Sequence, residues 1–191
     1  MTRSVVEGTI SSAGFPSGDR FAIGSWHTTP LGPFGDVMWA TAEDVRILLA
    51  PDDEVAGFIT SIYDFDEVRT GPLQVESDGR RTTVDGGALR LSLTGGRLRP
   101  VPVPRPLWFT RRVEGPIARR TMGVQTAGTS PTGVREWYQT RGWRWVERGA
   151  GSVDGRDLGD PQPIARPLGV GFSEPPGRPS IVAVKVTIRG R

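Results

Sequence analysis

Short stretches in which apolar and polar residues alternate, broken by Gly, Pro, Ser or Asp roughly every eight to twelve positions, dominate this chain. Residues 4–10 and 20–26 read as strands separated by a Gly/Pro/Ser turn at 14–18. A Pro/Gly loop at 30–35 follows, then two short strands at 37–39 and 45–49. Residues 68–99 read as a meander of strands at 73–77, 80–84, 88–93 and 97–101. Its turns are Asp78-Gly79, Asp85-Gly86-Gly87 and Gly95-Gly96, pairs that supply the positive φ of tight hairpins. Leu89, Leu91 and Leu93 alternate with Arg90 and Ser92, which predicts one buried and one wet face.

One helix interrupts this pattern, near residues 51–63. Pro51 suits a first helical position, and Asp52, Asp53 and Glu54 place carboxylates at the positive end of the helix dipole. Val55, Phe58, Ile59 and Ile62 then follow at i, i+3, i+4 and i+7, a single apolar stripe. Beyond the meander, Pro100, Pro102, Pro104 and Pro106 alternate with Val101, Val103 and Arg105, a pattern for extended chain and not for a central strand. Strands are predicted at 107–113 and 122–126, a hairpin at 134–140 and 143–148 around Arg141-Gly142, and a final β-branched strand at 181–189. Residues 149–180, rich in Gly and Pro, hold at most one short strand. Together these elements predict one mainly β domain over 1–191, an antiparallel β-barrel or a two-sheet sandwich with a short helix on it.

Composition narrows the chemistry. Gly and Pro, 26 and 17 of 191 residues, argue against a helical bundle. The absence of Cys excludes disulfides, thiolate nucleophiles and Cys-ligated metals, and a single His excludes sites built on two imidazoles. No apolar run is long enough for a membrane helix and no leader pattern opens the chain, so a cytoplasmic location is expected. The net charge is +3, and Lys185 is the only Lys beside 23 Arg, which points to a GC-rich coding bias. Charge is unevenly placed: residues 36–67 hold nine acids against Arg46, and residues 97–148 hold eleven Arg against three Glu. Mutual neutralisation of these blocks in the fold is the simplest expectation.

Candidate chemistry is sparse. His27, at a strand end, could act as a base with Asp36 the nearest carboxylate in sequence. Lys185 sits in an alternating strand, where an interior position would depress its pKa toward Schiff-base chemistry and an exterior one would leave it an ordinary surface lysine. Trp137, Trp143 and Trp145 interleave with Arg135, Arg141, Arg144 and Arg148. Such a pattern either stacks nucleic-acid bases or, with Trp39, lines a ligand pocket. No nucleophile elbow and no phosphate loop is present, and the acid spacing fits no metal loop, so neither a cofactor nor a metal is expected.

The stretch Thr29-Pro30-Leu31-Gly32-Pro33-Phe34-Gly35-Asp36-Val37 resembles the S-P-x-G-P-[YF]-x-[ED] segment of acetoacetate decarboxylase-like proteins. The resemblance implies a β-rich fold around an internal pocket, in a family some of whose members use a lysine Schiff base on β-keto acids. The family's glutamate would fall on Asp36. Its adjacent-lysine pair has no counterpart beside the lone Lys185, and no catalytic residue is carried over.

Three functions follow as expectations. The first is non-enzymatic binding of a small apolar or carboxylate-bearing ligand in an internal pocket. The second is a decarboxylase-like lyase or other small-molecule enzyme built on Lys185 or His27. The third is a nucleic-acid or protein-interaction module on the 134–148 segment, of which nucleic acid is the less expected partner.

Overall fold

A computed structural model describes residues 3–101, 127–130 and 132–189. Among them are β1 (Arg3–Gly14), β2 (Arg20–Thr28), β3 (Phe34–Ala40), β4 (Arg46–Ala50), α1 (Asp53–Thr60), β5 (Glu67–Thr70), β6 (Gln74–Ser77) and β7 (Arg81–Gly86). There follow β8 (Leu89–Gly95), β9 (Arg99–Pro100), β10 (Ala127–Thr129), β11 (Arg135–Val153), β12 (Arg156–Asp157) and β13 (Ser180–Arg189). The protein is mainly β. One sheet runs β5-β4-β3-β2-β1-β13-β11-β8-β7-β6, with β9, β10 and β12 paired on β11. Among the described residues β5 and β6 are its free ends, and the sheet does not close into a hydrogen-bonded barrel. The pairings are antiparallel except β4 with β5, where α1 carries the chain across to a parallel neighbour.

Strand alternation gives the centre of this sheet two buried faces. Phe21, Ile23, Val37, Trp39 and Ile47 point one way and pack with Val84, Leu89, Leu91 and Leu93 of the β7–β8 hairpin, forming the largest core cluster. A buried Ser11 Oγ–Thr82 Oγ1 hydrogen bond of 2.6 Å ties β1 to β7 across that layer. The opposite face carries Val6, Val184, Val186 and Ile188 against Ile62 and Phe58, and Ala22, Met38 and Ala40 against Leu168 and Val170. α1 and the irregular chain around 162–176 therefore cover this second face. Long β11 links the layers: its first half pairs β13, its second half pairs β8, and register shifts at Thr140/Gly142 and Val146/Arg148 let it turn between them.

Several expectations change on contact with the fold. The predicted hairpin at 134–148 is one continuous strand, because Arg141-Gly142 forms a bulge opposite β13 where a turn was expected. The helix is shorter, and Asp52 is its N-cap, accepting the Val55 N–H at 2.8 Å. β5 was not foreseen: its four residues are all exposed, and its charged side chains Glu67 and Arg69 suit an edge strand. The predicted strands at 107–113 and 122–126, and the proline-alternating segment beyond Val101, lie outside the described residues. Asp44 pairs with Arg20 and Arg166, and Arg46 pairs with Asp64 and Asp66. These acids find their cations outside the basic block at 97–148.

Candidate functional site

Between the second face of the sheet and its cover lies a cavity of about 130 Å³. Its sheet wall comprises Ile10 and Ser12 of β1, Ala22, Gly24 and Trp26 of β2, Asp36 and Met38 of β3, Tyr138, Thr140 and Trp143 of β11, and Val182 and Val184 of β13. Alternation selects these residues: they are the inward positions of five neighbouring strands, and the bulge at Arg141 returns Trp143 to the same face as Tyr138. The cover supplies Tyr63, Leu168, Val170 and Ser173 to Pro176. The wall is largely apolar, and none of its described residues is basic.

Asp36 is the buried charge-bearing group of this wall. Trp26 Nε1–H donates to its Oδ1 at 2.7 Å. Burial pushes its pKa up to about 6, against the opposing effect of that hydrogen bond. The pair needs glycine beside it, since a Cβ at Gly24 would collide with both Asp36 Oδ1 and Trp26 Nε1.

Opposite Asp36 across β2, β1 and β13, the chain's two tyrosines meet on one carboxylate. Tyr63 and Tyr138 hydroxyls donate to Glu136 Oε2 at 2.7 and 2.9 Å and also contact each other. Glu136 is fully buried, and its Oε1 has no partner among the described residues. Burial pushes its pKa up to about 6 despite the two phenol donors. Burial, and the charges around them, hold both phenols well above the ordinary tyrosine range. For Tyr138 burial is the main cause, and the Asp36 charge adds a smaller upward push.

The cover is irregular chain held by many small bonds. Glu174 accepts the N–H groups of Leu168 and Gly169 at 2.7 and 3.0 Å, closing 168–174 into a ring. Asp64 N–H donates to Val170 O at 2.9 Å, and the ring of Phe172 lies 5.9 Å from that of Tyr138. Gly171 lies against the Tyr63 ring, where a side chain would not fit.

Of the residues singled out in the sequence, Asp36 and Trp143 line this cavity. Trp39 is in the core layer on the other face, stacked on Phe21 and donating from Nε1 to Asp19 Oδ1 at 2.8 Å. Trp137 lies under the guanidinium of Arg189, and Trp145 under that of Arg178. Arg135 is exposed at the start of β11. Lys185 points to the face away from the cavity, where its Nζ pairs with Glu7 Oε1 at 2.9 Å, and Arg141 pairs with the other oxygen at 3.0 Å. The Lys185 ammonium holds the Glu7 carboxyl below its usual range. Exposed His27 borders an open groove on that same outer face, with Nδ1 3.0 Å from Thr28 Oγ1.

Sequence reasoning missed Tyr63, Glu136 and the cover. One signal was available: Glu136 and Tyr138 share a strand face, and a carboxylate two residues from a phenol on an inward face needs a partner. Among the described residues no group of three or more His, Asp or Glu is arranged to hold a metal ion, and no helix is long and apolar enough to cross a membrane. The chain matches no family model, no curated protein and no solved structure.

Proposed function

We propose that this protein binds a small, largely apolar and uncharged molecule in the cavity beneath residues 168–176. The observation that carries the reading is the wall itself: inward side chains of five strands leave about 130 Å³ unfilled in a fold packed on both sheet faces. The hollow is partly open to solvent, and an apolar cavity of about 150 Å³ accepts benzene. A six- or seven-atom ring is therefore the appropriate scale. Asp36 and the tyrosine pair supply the few polar groups that orient a ligand in an apolar site.

The wall also refines the ligand class. A carboxylate-bearing ligand would want a cation there, and the described lining offers the acids Asp36 and Glu174 instead. Support for an uncharged ligand is correspondingly stronger. A lyase built on Lys185 or His27 draws no support from this cavity, because neither residue lines it. Base stacking on the β11 indoles draws little, because Arg189 and Arg178 already occupy faces of Trp137 and Trp145.

Trp26 and Trp143 make the test direct, since both indoles form part of the wall. Intrinsic fluorescence is titrated with toluene, cyclohexanone, cyclohexanol and octanoate. Saturable change with the neutral rings, weak or absent with octanoate, is the expected result. A flat response to every compound would remove the proposal.

A further inference from the structure

Asp36, Gly24, Ile10, Val182 and Trp143 stand opposite one another in register, one rung across β3, β2, β1, β13 and β11, and all five line the cavity. The Asp36 carboxyl leans along this rung over Gly24, where a Cβ would collide with its Oδ1. Trp26 Nε1–H holds that oxygen at 2.7 Å. The other oxygen, Oδ2, has no hydrogen-bond partner among the described residues, although the side chain is buried. We propose that Asp36 selects the ligand of this cavity, its free Oδ2 accepting the O–H of a small alicyclic or aromatic alcohol. The proposal rests on the cavity being a small-molecule site and names the class of molecule that site takes.

A buried carboxyl oxygen without a donor is costly, so a molecule seated beside it gains most by bringing a hydrogen. A hydroxyl brings one. A hydrocarbon does not, and a ketone sets a second acceptor against the first. The surroundings suit a ring on that hydroxyl. Ile10 neighbours Gly24 on β1, and Ala22 and Met38 are the next inward positions on β2 and β3, so the apolar bed begins within two strands or two residues of the carboxyl.

The wall's charged and aromatic groups offer no competing donor. Glu174 accepts the Leu168 and Gly169 N–H groups, and Tyr63 and Tyr138 direct their hydrogens to Glu136. Trp26 spends its N–H on Asp36. Trp143 Nε1, at the far end of the rung, is sealed in protein without a partner, out of a ligand's reach.

Trp26 also makes the choice reversible. Its Nε1–H can only donate, so in Asp36→Asn it keeps the amide oxygen at the Oδ1 position and leaves the NH2 group in the place of Oδ2. An acceptor becomes a donor at nearly constant size, and the preferred ligand changes from an alcohol to a ketone.

Cyclohexanol and cyclohexanone, which share a ring and a heavy-atom count, test this by intrinsic fluorescence titration of wild type and Asp36→Asn at pH 8, where Asp36 is ionised. Wild type is expected to bind cyclohexanol about 10–100-fold more tightly than cyclohexanone, and Asp36→Asn to bind cyclohexanone the more tightly of the two. Wild-type binding of cyclohexanone as tight as that of cyclohexanol would overturn the proposal and leave the cavity reading standing. That comparison needs no variant, so it decides even where Asp36→Asn does not fold. A folded Asp36→Asn that keeps the wild-type preference for cyclohexanol would also overturn the proposal. No binding of either compound would overturn it together with the cavity reading.

Discussion

Asp36 and Glu136 are carboxyls that folding moves out of water, and the direction of the resulting pH dependence follows from their shifted pKa values. Asp36 rises from 3.8 to about 6, and Glu136 from 4.5 to about 6. Between the unfolded and folded values the native state binds more protons than the unfolded chain, so stability falls as pH rises through that window. Below the unfolded values the contribution is fully present, and above about 6 it is lost. For Asp36 the loss is on the order of 3 kcal/mol. Urea unfolding at several values between pH 4 and pH 7 should show wild-type stability declining, and Asp36→Asn should flatten that decline. Gly24 makes a second prediction at this scale. Gly24→Ala drives a methyl between Asp36 and Trp26, so it should destabilise the fold by about 1–3 kcal/mol through the lost buried hydrogen bond. Wild-type-like unfolding of this variant would contradict the geometry.

At the scale of elements, local chemistry decides some structures and long-range pairing decides others. Asp52 caps α1, and Asp52→Ala should cost about 1 kcal/mol, read as a lower unfolding midpoint. In β8, Leu93 is fully buried and Arg90 exposed, so Leu93→Ala should cost about 2–5 kcal/mol and Arg90→Ala within about 0.5. Those contrasts were legible in the sequence: the carboxylates before Val55 announced a helix start, and the alternation at 89–93 announced a half-wet strand. The β11 bulge was not legible. Arg141-Gly142 reads as a turn locally, and pairing with β13 on both sides of it, and with β9 at Gly142 and Trp143, keeps it inside one strand. The site was half legible. Asp36 stood out by its neighbours, whereas Tyr63 reaches Glu136 from 73 positions away, a separation no local pattern encodes. The cover escaped for a related reason: 162–176 has no periodicity, only Leu168 and Val170 in it are buried, and bonds such as Glu174 to the Leu168 and Gly169 N–H groups hold it in place.

For the whole molecule, an open sheet with both central faces buried divides its work. The β7–β8 face is filled by Phe21, Leu91 and Leu93, and the face under α1 and 168–176 keeps a void. Glu174→Ala should loosen the cover and speed ligand release while leaving the β7–β8 core intact, seen as faster dissociation in stopped-flow fluorescence. A ligand that binds only the folded chain must raise its stability by mass action, about 2.7 kcal/mol at a hundredfold excess over Kd. The decisive measurement is the thermal midpoint of wild type and of Ala22→Phe, which places a ring in the void, with and without saturating cyclohexanone. A rise of several degrees in wild type that disappears in Ala22→Phe is the predicted result. An equal rise in both proteins, or none in either, would contradict a ligand seated in this cavity.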